Sequence, residues 1–214
     1  MQNIAIYGAG GFGKEVACII AKINEKKPTW NLIGFFDDGI NKETPISHFG
    51  NVLGGLDDLN QWDHPLSIVF AIGTPRLISL ISGKIVNPKI DFPNIIHPDV
   101  FIADAVSLRM GQGNVIVRAC SFSCDVELGS FNQMNSISSL AHDVKVGSFN
   151  VFMPLSRISG GAQIGDLNLF GIGSVVFQNV IIGNNTRISA GSYVMRNTKD
   201  GFLYAGNPAK KFDI

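Results

Sequence analysis

Charge is scarce in this chain. Asp, Glu, Lys and Arg make up 16% of it, and seventeen basic side chains balance seventeen acidic ones. A net charge of zero leaves no electrostatic footprint for nucleic acid or an anionic membrane surface. Histidine is rarer still, with four among 214 residues. The three cysteines, Cys18, Cys120 and Cys124, are too few for a disulfide framework and suit a reduced compartment. No further Cys or His lies at zinc-ligand spacing from Cys120 and Cys124, so no metal is expected. No apolar run approaches the roughly 20 residues that a membrane helix needs. The chain also opens on a strand-like segment rather than a secretory signal. These absences lead to the expectation of a cytoplasmic protein with no metal, no nucleic-acid partner and no membrane span.

What the chain has in quantity is glycine, 24 residues, and a period. Every sixth residue from Ile116 through Phe122, Leu128 and Met134 to Val194 is apolar, fourteen positions in succession. At 45% hydrophobic composition such a run arises by chance about once in 10⁵. Six is the period of a hexapeptide β-solenoid, not of a helix or a simple strand. Leu128-Gly129, Val146-Gly147, Ile164-Gly165 and Ile182-Gly183 add a second period of eighteen residues. Three hexads therefore make one triangular coil, and residues eighteen apart stack. The pattern starts raggedly at Ile102 and Leu108, and a loop between early coils is expected over Arg109 to Asn114. Gly206-Asn207-Pro208-Ala209-Lys210 leaves the repeat as a turn-rich cap for the open coil end.

The residues ahead of the repeat follow another rule. Asn3 to Tyr7 reads as a buried strand running into Gly8-Ala9-Gly10-Gly11-Phe12-Gly13, a G-x-G-x-x-G sequence. A helix is predicted from Phe12 to Lys26, and a second strand from Trp30 to Phe36 that ends in Asp37-Asp38. Val52 to Leu59 reads as a short strand and turn, Ser67 to Ile72 as a third strand, and Leu77 to Ile85 as a helix. Glycines at such a turn let backbone approach a phosphate, and the helix start offers unpaired N–H groups. A full dinucleotide fold needs about twice this length, so a mononucleotide or nucleotide-sugar site fits better. The alternative is a tight turn that binds nothing. Arg76 follows a strand end, where it either meets a phosphate or faces solvent.

The regular repeat holds one histidine, His142. Solenoid carbonic anhydrases need three histidine ligands for zinc, which this repeat does not supply. His142 is the third residue of its hexad, off the apolar core, and one coil on stand Gly160 and Gly161. A histidine beside side-chain-free backbone N–H groups is the minimal apparatus for acyl transfer, a general base next to an oxyanion donor. Asp143 follows His142, and Asp125 stacks one coil below Asp143, so either carboxylate could orient the imidazole. Ser136, Ser138 and Ser139 allow a weaker reading through a covalent serine intermediate.

Together these features resemble the nucleotide-sugar acetyltransferases of the left-handed β-helix class, which include bacillosamine and perosamine N-acetyltransferases and sialic acid O-acetyltransferase-like proteins. The carrying residues are Gly8 to Gly13, Asp37-Asp38, Ala71-Ile72-Gly73, Ile96-His97-Pro98, His142-Asp143 with Val146-Gly147, and the ending Gly206 to Lys210. The resemblance implies an α/β half-Rossmann domain over 1–94 that binds a UDP-linked amino sugar. Gly10, Gly11 and Gly13 would lie near its phosphates, Asp37 and Asp38 near base and ribose, and Gly73 at the same site. It implies a left-handed parallel β-helix acyltransferase domain over 95–214 with a C-terminal cap. There His142 would be the general base, supported by Asp143. Acetyl-CoA would lie in a groove between subunits of a homotrimer, on Gly160, Gly161, Ile172 and Ala190, with direct transfer to the sugar amine and no metal. Two positions depart from many relatives: Val151 where a second histidine is common, and Pro154-Leu155 where Pro-Gly is common. The competing readings are O-acetylation of a sugar hydroxyl and a non-catalytic nucleotide-binding scaffold.

Overall fold

Buried strands alternate with amphipathic helices up to residue 91 and build a parallel sheet. The computed structural model describes residues 1–212. Strands β1 (Gln2–Tyr7), β2 (Trp30–Phe36), β3 (Val52–Gly54), β4 (Leu66–Phe70) and β5 (Ile90–Asp91) pair in the order β3-β2-β1-β4-β5. Every pairing is parallel. All five residues of β4 are buried, as a strand covered on both faces requires. Helix α1 (Gly11–Lys26) packs Val16, Ala17, Ile19 and Ile20 onto the sheet, and α3 (Pro75–Lys84) packs Ile78 and Ile81. The turn expected after Val52 is instead a short helix, α2 (Leu56–Asn60). It starts because Asp58 Oδ2 accepts the Gly55 N–H at 3.0 Å, and it is too short for periodicity to reveal.

From Ile95 the chain makes two-residue strands that turn through three faces. The first face carries Ile95–Ile96, Val115–Ile116, Gln133–Met134, Val151–Phe152, Leu169–Phe170 and Arg187–Ile188. The second runs from Phe101–Ile102 to Tyr193–Val194, and the third from Arg109–Met110 to Ile181–Ile182. The second residue of each pair points inward, so Phe122, Met134, Phe152 and Phe170 are no more than 1% exposed. Phe152 and Phe170 stack with ring centres 4.6 Å apart. Asn114, Asn132, Asn150 and Asn168 form a buried ladder at one edge, in which each Oδ1 accepts the backbone N–H of the residue one coil on. The prism is a left-handed β-helix.

The eighteen-residue register holds from Arg109 to Val194, with one correction at its start. Arg109–Met110 pairs in register with Glu127–Leu128, eighteen residues on. Phe101–Ile102 pairs with Ser121–Phe122, twenty residues on. The two extra residues therefore lie between Ile102 and Arg109, not over Arg109 to Asn114. Leu108 is apolar and packs against the core, so it mimicked a hexad start that belongs to Met110.

The α/β unit covers the first face. Val151 and Leu169 share an apolar cluster with Phe70, and the Phe131 ring lies 5.9 Å from Phe70 and 5.2 Å from Phe92. Gln133 Nε2 donates to the Phe70 carbonyl at 2.9 Å. The junction extends along the edge between the third and first faces, and it leaves the edge between the second and third faces on the opposite side. At the end of the prism, Leu203–Gly206 adds to Arg187–Ile188, turns at Asn207-Pro208 and returns as Ala209–Phe212. The expected cap is thus a hairpin on the first face. Residues 213 and 214 of the expected second domain lie outside the described residues.

Candidate active site

His142 stands on the edge between the second and third faces. Its ladder reads Cys124, His142, Gly160, Gln178, one residue per coil. The next ladder along that edge, Asp125, Asp143, Gly161 and Asn179, takes left-handed backbone, with φ +58° at Asp143. That conformation swings the Asp143 carboxylate back beside its neighbour, and His142 Nδ1 lies 2.8 Å from Asp143 Oδ2. Adjacent residues normally point apart, and the coil corner is what brings these two together. The choice between Asp143 and Asp125 therefore falls to Asp143. With Nδ1 held by a carboxylate, Nε2 is the nitrogen left to act as base. The pair is open to solvent in the single chain, with side chains 63% and 65% exposed.

Gly160 lies directly over the ring. A Cβ on it would fall 2.5 Å from His142 Nε2 and Cε1. Its carbonyl accepts from Asn179 N–H, while its own N–H has no backbone partner among the described residues. Gly161 differs, because its N–H donates to the His142 carbonyl at 2.9 Å. Only one of the two glycine N–H groups remains for a ligand. Ile172 and Ala190 stack one above the other on the edge between the first and second faces, so a single chain does not bring them to His142. Ser138 is 1% exposed and bonds the Met153 carbonyl, and Ser136 belongs to that same distant edge. Neither serves His142 as a nucleophile, and burial pushes the Cys120 thiol up to about 11. Val151 is buried under the α/β unit and Leu155 is 40% exposed at a left-handed corner; both are in the coil after His142, but on other sides of the prism.

The glycine loop shows a division of labour. A Cβ on Gly8 would meet the Ala71 carbonyl and one on Gly13 the Gly8 carbonyl, so these two serve close packing. A Cβ on Gly10, Gly11 or Gly73 would meet nothing within 4 Å, so these three border open space. Asp37 braces the loop, accepting Ala9 N–H on Oδ2 and Gly39 N–H on Oδ1, both at 2.9 Å. Asp38 accepts Tyr7 O–H at 2.5 Å and Leu56 N–H at 2.8 Å. Each carboxylate oxygen of the pair is thus already engaged once in holding the loops. Burial, and then the bond to Asp38, push the Tyr7 phenol well above its ordinary value. Among the described residues there is no group of three or more His, Cys, Asp or Glu that could hold a metal, and no helix is long and apolar enough to cross a membrane.

A β-helix with a carboxylate-held histidine under a bare glycine defines a hexapeptide-repeat acyltransferase. Comparison with known proteins narrows this class. Residues 3–82 match the PglD N-terminal domain. The acetyltransferase domain of PglB from Neisseria gonorrhoeae superposes with a TM-score of 0.89 at 26% identity, covering 99% of this chain and 100% of that one. A second structure of that domain, in complex with acetyl coenzyme A, gives 0.88 at 27% identity, covering 99% of each chain. PerB from Caulobacter crescentus, in complex with CoA and GDP-perosamine, gives 0.84 at 25% identity over 100% of this chain and 98% of that one. No curated protein sequence matches the chain. Over its full length the chain is thus similar to solved hexapeptide-repeat acetyltransferases, one of them bound to a nucleotide sugar.

Proposed function

We propose that this protein transfers the acetyl group of acetyl-CoA to the amine of a UDP-linked amino sugar, with His142 as general base. The observation that carries the reading is the alignment of three groups on one edge: Asp143 on Nδ1, a free Nε2, and the unpaired Gly160 N–H over the ring. Asp143 fixes the ring and stabilises the imidazolium. Nε2 takes a proton as the amine attacks the thioester carbonyl, and Gly160 N–H donates to the developing oxyanion. The imidazolium then protonates the leaving thiolate, and no acyl-enzyme forms.

A homotrimer with sites between subunits accounts for the rest. Gly10, Gly11, Gly73, Asp37 and Asp38 belong to a unit that covers the first face, while His142 lies on the edge opposite that face. A nucleotide sugar held by one copy therefore meets the His142 edge of another, and the Ile172 and Ala190 edge closes on the acyl carrier in the same way. Ile137 and Ile172 are 51% and 50% exposed there, which suits burial between copies. The carbohydrate carrier has a second reading in GDP, because the Caulobacter crescentus relative is in complex with GDP-perosamine. The test is a panel of UDP- and GDP-linked amino sugars, and of sugars with hydroxyl only, incubated with acetyl-CoA and read by product mass. Addition of one acetyl group to an amino sugar is expected. Products formed only from the hydroxyl panel would overturn N-acetylation, and no acetyl-CoA consumption with any member would leave the scaffold reading.

A further inference from the structure

Where α3 begins, the two units part to form a cleft of about 320 Å³. Gly73 and Arg76 line one wall, and Leu169, Asn185 and Arg187 line the other. Arg76 Nε donates to Asn185 Oδ1 at 2.8 Å, which ties this guanidinium across the cleft and leaves its terminal nitrogens uncommitted. Arg187 has the outward position on the first face. In earlier coils that position holds Val115, Gln133, Val151 and Leu169, residues the α/β unit covers wholly or in part. The ladder becomes cationic at the coil where the cover gives way to the cleft.

Among the described residues, neither guanidinium has an acidic partner. Asp200, next to cleft residue Gly201, spends its carboxylate on the Asn184 N–H and side-chain amide. Two guanidinium groups facing one recess repel each other, and an anion between them turns that repulsion into attraction. The forked arginine head matches phosphate in particular. The cleft also continues the glycine loop, since Gly8 packs against the Ala71 carbonyl two residues before Gly73. The loops that carry Gly10 and Gly11, and Gly73 and Arg76, thus leave the same ends of the adjacent strands β1 and β4.

We infer that this cleft takes the sugar-proximal phosphate of the nucleotide sugar, with Arg187 and Arg76 as its charge partners. The β-helix of a chain then binds the nucleotide held by the α/β unit of that same chain. The inference rests on the nucleotide-sugar reading above.

The test is calorimetric titration of the full-length protein and its Arg187→Ala and Arg187→Lys variants with UDP, GDP, UMP and CoA. Arg187 is exposed and its side chain makes no hydrogen bond among the described residues, so both variants are expected to melt like the parent. Arg187→Ala should weaken the bound diphosphate at least tenfold, the size of a lost charge-assisted phosphate contact. UMP and CoA should change less than about threefold, and Arg187→Lys should recover part of the loss. Unchanged diphosphate affinity in Arg187→Ala overturns the assignment, as does a loss confined to CoA. If the parent protein binds neither UDP nor GDP, the nucleotide-sugar reading falls and takes this one with it; binding that ignores Arg187 removes the cleft alone.

Discussion

Gly160 sits over His142 so closely that a Cβ there would lie 2.5 Å from Nε2, the nitrogen we propose as the base. Gly160 has no left-handed φ, so alanine suits its backbone and only the ring has to move. Gly160→Ala is expected to fold normally and to lose about 10² in kcat, the usual result of displacing a reacting group by an ångström. Steady-state kinetics beside a thermal melt check this. A variant with parental kcat would show that the ring position does not matter.

His142 and Asp143 can be separated by their charge. His142→Ala should keep its fold, because the side chain is largely exposed, and lower turnover by about 10²–10⁴. Asp143→Asn keeps a residue that tolerates the left-handed corner and removes only the charge. A fall in kcat of about 10² with an unchanged melting temperature is expected for it. Full activity of His142→Ala would refute the mechanism.

The glycine loop gives a contrast within four residues. Gly13→Ala drives a Cβ into the Gly8 carbonyl and should cost about 1–3 kcal/mol of stability. Gly10→Ala meets nothing within 4 Å and should cost under about 1 kcal/mol. Its effect should appear in nucleotide affinity instead, weakened about tenfold as the backbone is pushed off the phosphate. Urea unfolding and nucleotide titration of both variants separate the two roles.

Tyr7 adds a signature at alkaline pH. Its folded pKa is raised, chiefly by burial and then by Asp38. The stability this contributes is fully present below the unfolded value near 10 and declines as pH climbs above it. Tyr7→Phe should lose about 1 kcal/mol at neutral pH, because Asp38 Oδ2 loses its donor. The variant should also decline less steeply between pH 9 and 11. Parallel curves for the two proteins would show that Tyr7 keeps no excess affinity for its proton in the fold.

The fold was legible because its rule is arithmetic. Apolar residues every six and Gly-containing corners every eighteen are read without knowing any contact, and His142, Gly160 and Asp143 came with them. What failed were places where one residue imitates another's role. Leu108 looked like a hexad start, and Gly161 looked as available as Gly160 until the His142 carbonyl claimed its N–H. Arg187 was invisible for a different reason. One arginine in a strand reads as surface, and only the α/β unit ending beside it makes it the wall of a cleft. Likewise the bonds that occupy Asp37 and Asp38 depend on where the loops after β1 and β3 arrive.

The two extra residues between Ile102 and Arg109 are tolerated because they bulge at the start of the prism, before any chemistry. The same addition between Ile158 and Gly160 would leave every strand able to pair, yet it would set a different residue over the imidazole. The path from His142 to Gly160 is therefore a ruler of one coil. Side chains along it can vary widely, but a bulge at the Gly160 corner, or a whole coil added between the two residues, should abolish turnover while sparing the fold.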